Sequence, residues 1–295
     1  MQVHSIYKRI TSNLIPIDIV TLGYLGVTLI YIVVSMGKLS DVWLHIIPRI
    51  FTIGLIFWSA WVSPSIRNRI ALFIRNVYPL ILLSFFYAES DYLNNVLFNN
   101  LDPFFERIEL SIFGANPSVV FSEQFPQVWF SELMNLGYFS YYFLIILLPL
   151  WLWLNKSDSF QYVMFSVTTS FYLFYLFFII FPVAGPQFYL DESLRTIPDS
   201  GLFRWLVKFA EWLGEGPTGA FPSSHVGAVI IMSYLSFKHA KKLFPIYLVL
   251  GLLICFSTVY IKAHYAIDVI GGFVFGVLFF WVSRWLYRFL SIIKP

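Results

Sequence analysis

Charged residues are scarce in this 295-residue chain. They make up 12% of it, whereas soluble proteins average about 25%. The shortfall runs along the whole sequence, in long apolar runs separated by short polar breaks. This pattern excludes an ordinary soluble protein and predicts a polytopic membrane protein. The formal net charge of +3 is small, and we expect no nucleic-acid partner.

Cysteine is almost absent as well, and no internal repeat or low-complexity tract is visible. The single Cys255 cannot form an internal disulfide and lies in an apolar run, as expected of a helix-packing residue. No polar stretch is long enough for a separate domain. We therefore expect one membrane-embedded domain over 1–295, with its chemical motifs in about 160–290. The predicted fold class is all-α: a polytopic transmembrane helical bundle of six to eight spans with interfacial amphipathic helices.

Eight apolar segments are candidates for these spans because each approaches the roughly 20 residues that a bilayer-crossing helix needs. They are 17–36, 43–62, 71–90, 133–154, 160–181, 223–237, 243–261 and 266–287. Two longer polar segments, 91–132 and 182–222, remain between spans. Apolar residues at helical spacing within 201–213 predict an amphipathic helix on the membrane surface, and 91–132 is expected to hold one or two more.

The distribution of basic residues predicts the orientation. Lys8 and Arg9 precede the first apolar segment, which lacks a small-residue cleavage site, so we expect an uncleaved first span. With a cytoplasmic N-terminus, eleven basic residues fall inside and six outside, which favours this orientation. The inside set is Lys8, Arg9, Arg67, Arg69, Lys156, Lys238, Lys241, Lys242, Arg284, Arg288 and Lys294; the outside set is Lys38, Arg107, Arg195, Arg204, Lys208 and Lys262. We expect a multi-pass plasma (inner) membrane protein with both termini in the cytoplasm.

His264 and Asp268 are the first candidates for chemistry. They lie four residues apart at the start of an apolar segment, so their side chains share one helix face. A carboxylate there can accept the imidazole Nδ1 proton, which leaves Nε2 free to attack or to accept a proton. A structural hydrogen bond at a helix start is the alternative interpretation.

A second candidate site is formed by Pro222, Ser223, Ser224 and His225. Proline suits a helix start, and the N–H groups of a first helical turn bind phosphate well. His225 lies where a general acid could protonate a leaving oxygen. Two apolar segments separate His225 from His264, so the chain should return to the same membrane surface, outside the cytoplasm. The sequence therefore predicts that the two histidines act on one substrate.

These motifs resemble those of the type-2 phosphatidic acid phosphatase superfamily. Residues 222–225, Pro-Ser-Ser-His, are similar to its Pro-Ser-Gly-His motif, and 257–268 is similar to its Ser-Arg-x5-His-x3-Asp motif. The resemblance implies a helical membrane bundle with metal-independent, cofactor-free phosphoester chemistry. It implies that His264 is the nucleophile that forms a phosphohistidine, that Asp268 orients it, and that His225 is the general acid.

The sequence departs from the family pattern where positive charge is expected. Thr258 replaces the family's arginine, and the family's Lys-x6-Arg-Pro motif is not present as written. Residues 181–189 occupy its place, with Gln187 where a basic residue is expected. A transferring phosphoryl group needs its negative charge offset, and Arg195 and Lys262 are candidates for this, with Arg204 or Lys208 more distant. The predicted phosphate-binding residues are Ser223, Ser224, Lys262, Arg195 and Gln187.

Residues 221–225, Phe-Pro-Ser-Ser-His, and Thr258 resemble one branch of that superfamily, the inositol phosphorylceramide synthases and their bacterial relatives, and so does the stretch 102–118. That branch implies transfer of a phospho-headgroup between lipids as well as hydrolysis. The expected partners are a membrane lipid phosphate or phospholipid and an alcohol or sugar acceptor.

Two other functions remain open at this stage. One is a transporter whose His and Asp residues relay protons, although such proteins often show internal repeats. The other is a catalytically inactive family member that binds lipid. Asp18, Arg49 and Glu89 lie in or near spans, where they are either functional or paired between helices, and Gly272 with Gly276 predicts close helix packing.

Overall fold

The computed structural model describes residues 11–62 and 69–293, and these residues form helices with no strand among them. Predicted inside residues Lys8, Arg9, Arg67 and Lys294 lie outside the described ranges. The α-helices are α1 (Pro16–Val34), α2 (Trp43–Val62), α3 (Arg69–Leu93), α4 (Asp102–Phe113), α5 (Pro117–Gln124), α6 (Val128–Leu154), α7 (Phe160–Ile180), α8 (Pro186–Tyr189), α9 (Leu202–Gly214), α10 (Ser224–His239), α11 (Phe244–Tyr260) and α12 (Ala266–Ile293).

Six of these helices are long and apolar enough to cross a membrane: α1, α2, α3, α6, α7 and α12. The sixth and seventh predicted spans are also helices, but α10 has only 16 residues and α11 only 17. The predicted all-α bundle of six to eight spans is confirmed. Helix α6 begins five residues before the predicted span, at Val128, because polar residues of its first turns lie against the neighbouring loops.

Helix α7 is the centre of the bundle, with 78% of its membrane window buried. It packs against α1, α3, α10 and α12, and a helix that is apolar on all sides is expected in such a position. Aromatic rings make much of this contact. The ring centroids of Phe174 and Phe279 are 4.9 Å apart, and those of Phe177 and Phe275 are 4.8 Å apart.

Glycines bring α10 and α12 into close contact. A Cβ on Gly272 would lie 2.5 Å from the carbonyl oxygen of Ser223, and a Cβ on Gly276 would lie 2.7 Å from the Cα of Gly227. The predicted close packing at Gly272 and Gly276 is confirmed. This contact brings the first turn of α10 against the first turns of α12, so the two predicted motifs are adjacent.

The amphipathic helices predicted between spans are present as α4, α5 and α9. Helix α9 exposes 60% of Trp205 and 78% of Trp212, and the ring of Phe209 stacks between them at 5.8 and 5.9 Å. These helices lie at the end of the bundle where α10 and α12 begin. At the opposite end, the linker after α6 meets the last residue of α10 through Ser159 Oγ and His239 Nδ1, 2.8 Å apart.

Candidate active site

The two predicted histidines are in contact. His225 is the second residue of α10, and His264 lies in the short loop between α11 and α12. His225 Nδ1 and His264 Nε2 are 3.2 Å apart. The observed geometry therefore agrees with the expectation that two helices return the chain to one surface, although the two histidines are 39 positions apart in the sequence.

The tautomer of His264 is fixed by a backbone carbonyl. His264 Nδ1 donates to the carbonyl oxygen of Ala220 at 2.7 Å, so Nε2 is the acceptor in its contact with His225, and His225 Nδ1 is the donor. Burial lowers the pKa of His264 to about 4, opposed by the Ala220 hydrogen bond and the charge of Glu215. At neutral pH the ring is therefore uncharged, with a lone pair on Nε2 directed at His225.

Asp268 does not make the predicted hydrogen bond to His264. Its Oδ2 lies 3.6 Å from His264 Nδ1, beyond hydrogen-bonding distance, and accepts instead from the backbone N–H of Tyr265 at 2.7 Å. Ala220 supplies the acceptor assigned to Asp268. The Asp268 carboxylate is fully buried. It orients His264 indirectly, by holding the backbone amide of Tyr265, the residue that follows His264.

The two serines of the predicted phosphate cradle are buried and engaged. Ser223 is the N-cap of α10, and its hydroxyl accepts from the N–H of Val226 at 3.4 Å, as capping serines do. Ser224 is 5% exposed, and its hydroxyl interacts with Tyr141. A phosphate at this end of α10 would meet the positive helix terminus and its backbone amides more than the serine hydroxyls.

Gln187 connects the other predicted phosphate ligands. Its N–H donates to the carbonyl of Lys262 at 2.8 Å, and its own carbonyl accepts from Arg195 Nη1 at 3.1 Å. The ammonium of Lys262 points to α5, where it donates to Ser122 Oγ at 2.6 Å. Burial lowers the pKa of Lys262 to about 8. The structure thus brings Gln187 and Arg195 together, whereas the Lys262 ammonium binds a helix hydroxyl.

A cleft of about 580 Å³ opens beside Gln187 and Arg195, between α9 and the loop that precedes it. Its charged lining residues have both signs: the cations Arg195, Arg204 and Lys208, and the carboxylates of Glu192, Asp199, Glu211 and Glu215. The two histidines do not line this cleft and lie behind it, on the inner side of Glu215 and Tyr138.

Two of the cleft cations are neutralised by acidic neighbours. Arg204 lies 3.5 Å from Asp199 and 3.6 Å from Glu211, and Lys208 lies 2.5 Å from Asp199. In the described part of the chain, the guanidinium of Arg195 donates to the backbone carbonyl of Gln187. Of the predicted basic residues, Arg195 is therefore the one best placed to meet an anion.

Asp102, on α4, supports the site and was not singled out as a site residue from the sequence. Its Oδ2 accepts from the N–H of Ala184 at 2.7 Å, and its Oδ1 from the N–H of Gly185 at 2.8 Å and the hydroxyl of Tyr265 at 3.0 Å. Gly185 has a φ of +92°, and a Cβ there would lie 2.7 Å from the carbonyl oxygen of Ala263. One fully buried carboxylate therefore joins the loop before α8 to the residue after His264.

Glu109, two turns along α4, makes a comparable contact. Its Oε1 accepts from the N–H of Ile267, in the first turn of α12, at 2.9 Å. A carboxylate at a helix start complements the helix dipole, and burial raises the pKa of Glu109. The seven-residue spacing of Asp102 and Glu109, which puts both on one helix face, is the sequence signal that could have identified them.

Glu215 is a third carboxylate that no sequence pattern indicated. It follows α9 in a Gly- and Pro-containing loop, and its Oε1 accepts from the hydroxyl of Tyr138 at 2.6 Å. Its Oε2 accepts from Gln187 Nε2 at 3.3 Å. Burial raises the pKa of Glu215. The ring of Tyr138 packs on His225 with 4.7 Å between centroids, so Glu215 is one side chain away from the histidine pair.

Comparison with known proteins identifies the family. The PAP2 superfamily matches residues 115–282, which include His225, His264 and Asp268. A PA-phosphatase related-family protein of Dictyostelium discoideum is 21% identical over 182 residues, which are 54% of this chain and 33% of that protein, so the match spans about a third of the relative. No solved structure matches the chain. Because the family match covers more than half of its length, this multi-pass membrane chain belongs to the PAP2 superfamily.

Proposed function

We propose that this protein is an integral membrane phosphatase or phosphotransferase that cleaves or transfers a lipid's phosphate or phospho-headgroup through a phosphohistidine on His264. Membership of the PAP2 superfamily supports activity on lipid phosphates. The observation that carries the mechanism is the histidine pair. The Ala220 carbonyl directs the lone pair of His264 Nε2 at the proton-bearing Nδ1 of His225.

In the first step, His264 Nε2 attacks phosphorus, and an N–P bond forms as the bond from phosphorus to the lipid oxygen breaks. For this step His225 must carry a second proton; burial lowers its pKa, and the negative charge of a bound phosphate raises it again. As the imidazolium, His225 gives one proton to that leaving oxygen and becomes neutral. Attack requires the phosphorus about 3–3.5 Å from the nucleophile, with the leaving oxygen on its far side. Substrate binding must therefore separate the two nitrogens that are now 3.2 Å apart.

The charge of the transferring phosphoryl group is offset by two features in this proposal. The N-terminus of α10 presents backbone N–H groups and a positive dipole end beside His225. Arg195 lies on the cleft wall next to Gln187 and has a guanidinium that can bind phosphate oxygens in a bidentate manner.

In the second step, water or an alcohol attacks the phosphohistidine. His225, now neutral, accepts the proton of that nucleophile, and the N–P bond breaks to restore His264. Water gives hydrolysis and an alcohol gives transfer. The resemblance of 221–225 and Thr258 to the inositol phosphorylceramide synthase branch supports transfer as one outcome.

The charge distribution supports an active site outside the cytoplasm. The seven predicted inside basic residues that the structure describes all lie at the end of the bundle opposite the histidines: Arg69, Lys156, Lys238, Lys241, Lys242, Arg284 and Arg288. Cytoplasmic loops of membrane proteins are enriched in Lys and Arg. The exposed Trp205, Phe209 and Trp212 of α9 would then lie in the outer leaflet, beside the mouth of the cleft.

The test of the mechanism uses purified protein with a panel of radiolabelled lipid phosphates and phospholipids, with and without alcohol acceptors. We expect turnover by the wild type and an acid-labile, base-stable phosphoenzyme. His264→Ala should lose both. His239→Ala is the matched control, because His239 is at the opposite end of the bundle bonded to Ser159, and it should retain both. Turnover by the His264→Ala protein would contradict the proposed nucleophile.

Sidedness is tested by labelling. Cys255, the single cysteine, is replaced by serine, and a cysteine is introduced at the exposed Glu192 on the cleft rim. Labelling of intact cells by a membrane-impermeant maleimide is expected. Labelling only after lysis would place the site in the cytoplasm.

A further inference from the structure

Two tyrosine rings pack against His225. Tyr138 and Tyr141 lie three residues apart on α6, so their side chains project from one face of that helix. The ring centroid of Tyr141 is 4.2 Å from that of His225, and the ring centroid of Tyr138 is 4.7 Å from it. Their planes are tilted from the imidazole plane by 44° and 31°, closer to parallel than to perpendicular. The proposed general acid therefore has two aromatic rings as direct neighbours.

Both rings are held in place at their hydroxyl groups. The hydroxyl of Tyr138 donates to Glu215 Oε1 at 2.6 Å, and the hydroxyl of Tyr141 interacts with Ser224, the residue before His225. Tyr138 is 1% exposed and Tyr141 7%, so neighbouring side chains enclose the rest of each ring. The two rings therefore have fixed positions against His225 before a substrate binds.

The cationic form of His225 is unfavourable without stabilisation. Burial lowers the pKa of His225, and a charge on His264 would lower it further. The histidines that pair with a carboxylate in the described part of the chain are His45 and His264, so among these residues His225 has no such partner. The titratable side chains around it are His264 from the loop before α12 with Asp268 of α12 beyond it, and Tyr138 and Tyr141 of α6 with Glu215 beyond Tyr138.

Aromatic rings can stabilise a cation without adding a negative charge. The face of a ring carries negative potential, and a cation within about 6 Å of the ring centroid is attracted to it, most strongly where water is excluded. Both tyrosine rings are within this distance of His225. A carboxylate in their place would also stabilise the cation, but it would repel the phosphate that His264 attacks.

We propose that Tyr138 and Tyr141 are positioning residues of the phosphoryl transfer and that their ring faces stabilise the cationic form of His225 from which the leaving oxygen takes its proton. This proposal rests on the proposed transfer at His264. When the bond from phosphorus to the lipid oxygen breaks, the proton moves from His225 to that oxygen. His225 then becomes neutral, and the attraction of the rings ends with its charge.

The experiment changes Tyr141, because Tyr138 also holds Glu215. Tyr141→Leu removes the ring. Tyr141→Phe keeps the ring and removes the hydroxyl, and pentafluorophenylalanine at the same position keeps the shape of phenylalanine but withdraws negative charge from the ring face. Tyr172→Leu is the matched control, because Tyr172 is 2% exposed and its ring stacks on Tyr24 at 4.5 Å, away from the histidines.

The rate of phosphoenzyme formation is measured against pH with two substrates. The alcohol released from dioctanoyl phosphatidic acid needs a proton as it leaves, whereas p-nitrophenol needs little protonation. With phosphatidic acid, the rate should fall on the alkaline side as pH rises through the pKa of His225 in the substrate complex.

We expect Tyr141→Leu and the fluorinated ring to move this alkaline limb to lower pH by about one unit, because the cation loses the attraction of one ring. Above the limb, the rate with phosphatidic acid relative to that with p-nitrophenyl phosphate should fall about tenfold. Tyr141→Phe, which keeps the ring face, should keep the limb where it is in the wild type. Tyr172→Leu should lower stability without moving the limb.

Four results would overturn the proposal: an alkaline limb that neither Tyr141→Leu nor the fluorinated ring displaces, an equal loss on both substrates, a shift with Tyr141→Phe as large as with the fluorinated ring, or an equal shift in the control. If Tyr141→Leu does not fold, the phenylalanine and pentafluorophenylalanine proteins decide by themselves. In each of these results the wild type still forms a phosphoenzyme, so the proposed function stands. A wild-type protein that forms none with either substrate rejects the proposed function, and this proposal with it.

Discussion

Buried charges are used differently in the two parts of this molecule. In the N-terminal helices, cations pair with carboxylates across helices: Arg49 of α2 with Glu89 of α3, and Arg75 of α3 with Asp18 of α1 at 2.7 Å. Around the histidines, the carboxylates of Asp102, Glu109 and Asp268 bind backbone amides instead. Asp102 binds the amides of Ala184 and Gly185.

The difference separates two tasks. Inside a membrane bundle, a buried charge costs much free energy unless its oppositely charged partner is next to it. A pair of such charges on two helices therefore specifies that these two helices pack together. A carboxylate that accepts hydrogen bonds from backbone amides fixes the path of a loop. Each N–H group must point at the carboxylate oxygen, and this sets the orientation of its peptide unit. The N-terminal pairs therefore join helices, and the carboxylates near the site position loops that carry chemistry.

The largest effect is expected from the Arg49–Glu89 pair. Arg49 is 1% exposed and Glu89 3%, and His45 Nδ1 also lies 2.7 Å from Glu89. Glu89→Leu leaves a buried cation unpaired, which should cost about 3–5 kcal/mol of unfolding free energy, measured by unfolding in mixed micelles.

The double variant Arg49→Met with Glu89→Leu is the control for this prediction and should recover most of the stability. In both variants the folded fraction should keep the kcat of the wild type. A fall in kcat at unchanged stability would mean that the N-terminal pair also serves the chemistry, which would remove the contrast between the two regions.

The next largest effect is expected at Asp102. An asparagine side chain has a single carbonyl oxygen, so Asp102→Asn should lose one of the two amide contacts and shift the residues on either side of His264. Misplacement of reacting groups by about 1 Å can cost 10²-fold in rate. We expect kcat to fall by about that factor with KM for the lipid little changed. A loss of stability comparable with that of Glu89→Leu, at unchanged kcat, would show that Asp102 joins helices too.

A smaller effect is expected at the uncharged contact between α10 and α12. A Cβ on Gly272 would push against the Ser223 carbonyl at 2.5 Å, and overpacking of this kind costs about 1–3 kcal/mol. Gly272→Ala should therefore lower thermal stability and also activity, since Ser223 begins the helix that carries His225. Gly26→Ala is the control, because a Cβ there meets nothing within 4 Å. Equal effects of both substitutions would contradict the close contact.

The smallest effect of a substitution is expected in the pH dependence. His264 must be neutral to attack, and with its pKa at about 4 the rate of phosphoenzyme formation should fall as pH drops through that value. Burial raises the pKa of Glu215 above its ordinary value, so Glu215 is mostly uncharged across this acidic limb, and Glu215→Gln should leave the limb in place. Pre-steady-state burst kinetics with p-nitrophenyl phosphate report it, because that leaving group needs little protonation. A limb that Glu215→Gln displaces would show that Glu215 is still ionised where His264 titrates.

The sequence predicts the helices, the close helix packing at Gly272 and Gly276, and the contact of His225 with His264. Each of these depends on local periodicity or on the return of one helical hairpin. It does not predict the Ala220 carbonyl as the partner of His264, since every residue has a carbonyl and only the folded loop selects one. The contact of Asp102 with Ala184 spans 82 residues and depends on how α4 lies on the bundle. Glu215 follows no spacing rule, because its position is set by the end of α9.

The two helices that carry the motifs have a consequence for the bilayer. With 16 and 17 residues at about 1.5 Å each, α10 and α11 are about 24 and 26 Å long, shorter than a hydrocarbon core of about 30 Å. A short hydrophobic segment is accommodated by local thinning of the membrane. The surface of the leaflet should therefore lie closer to the histidines here than elsewhere. A lipid could then bring its phosphate to the histidines while its acyl chains stay in the bilayer. Turnover should then be faster in vesicles of shorter-chain lipids, where less of this thinning has to be imposed by the protein.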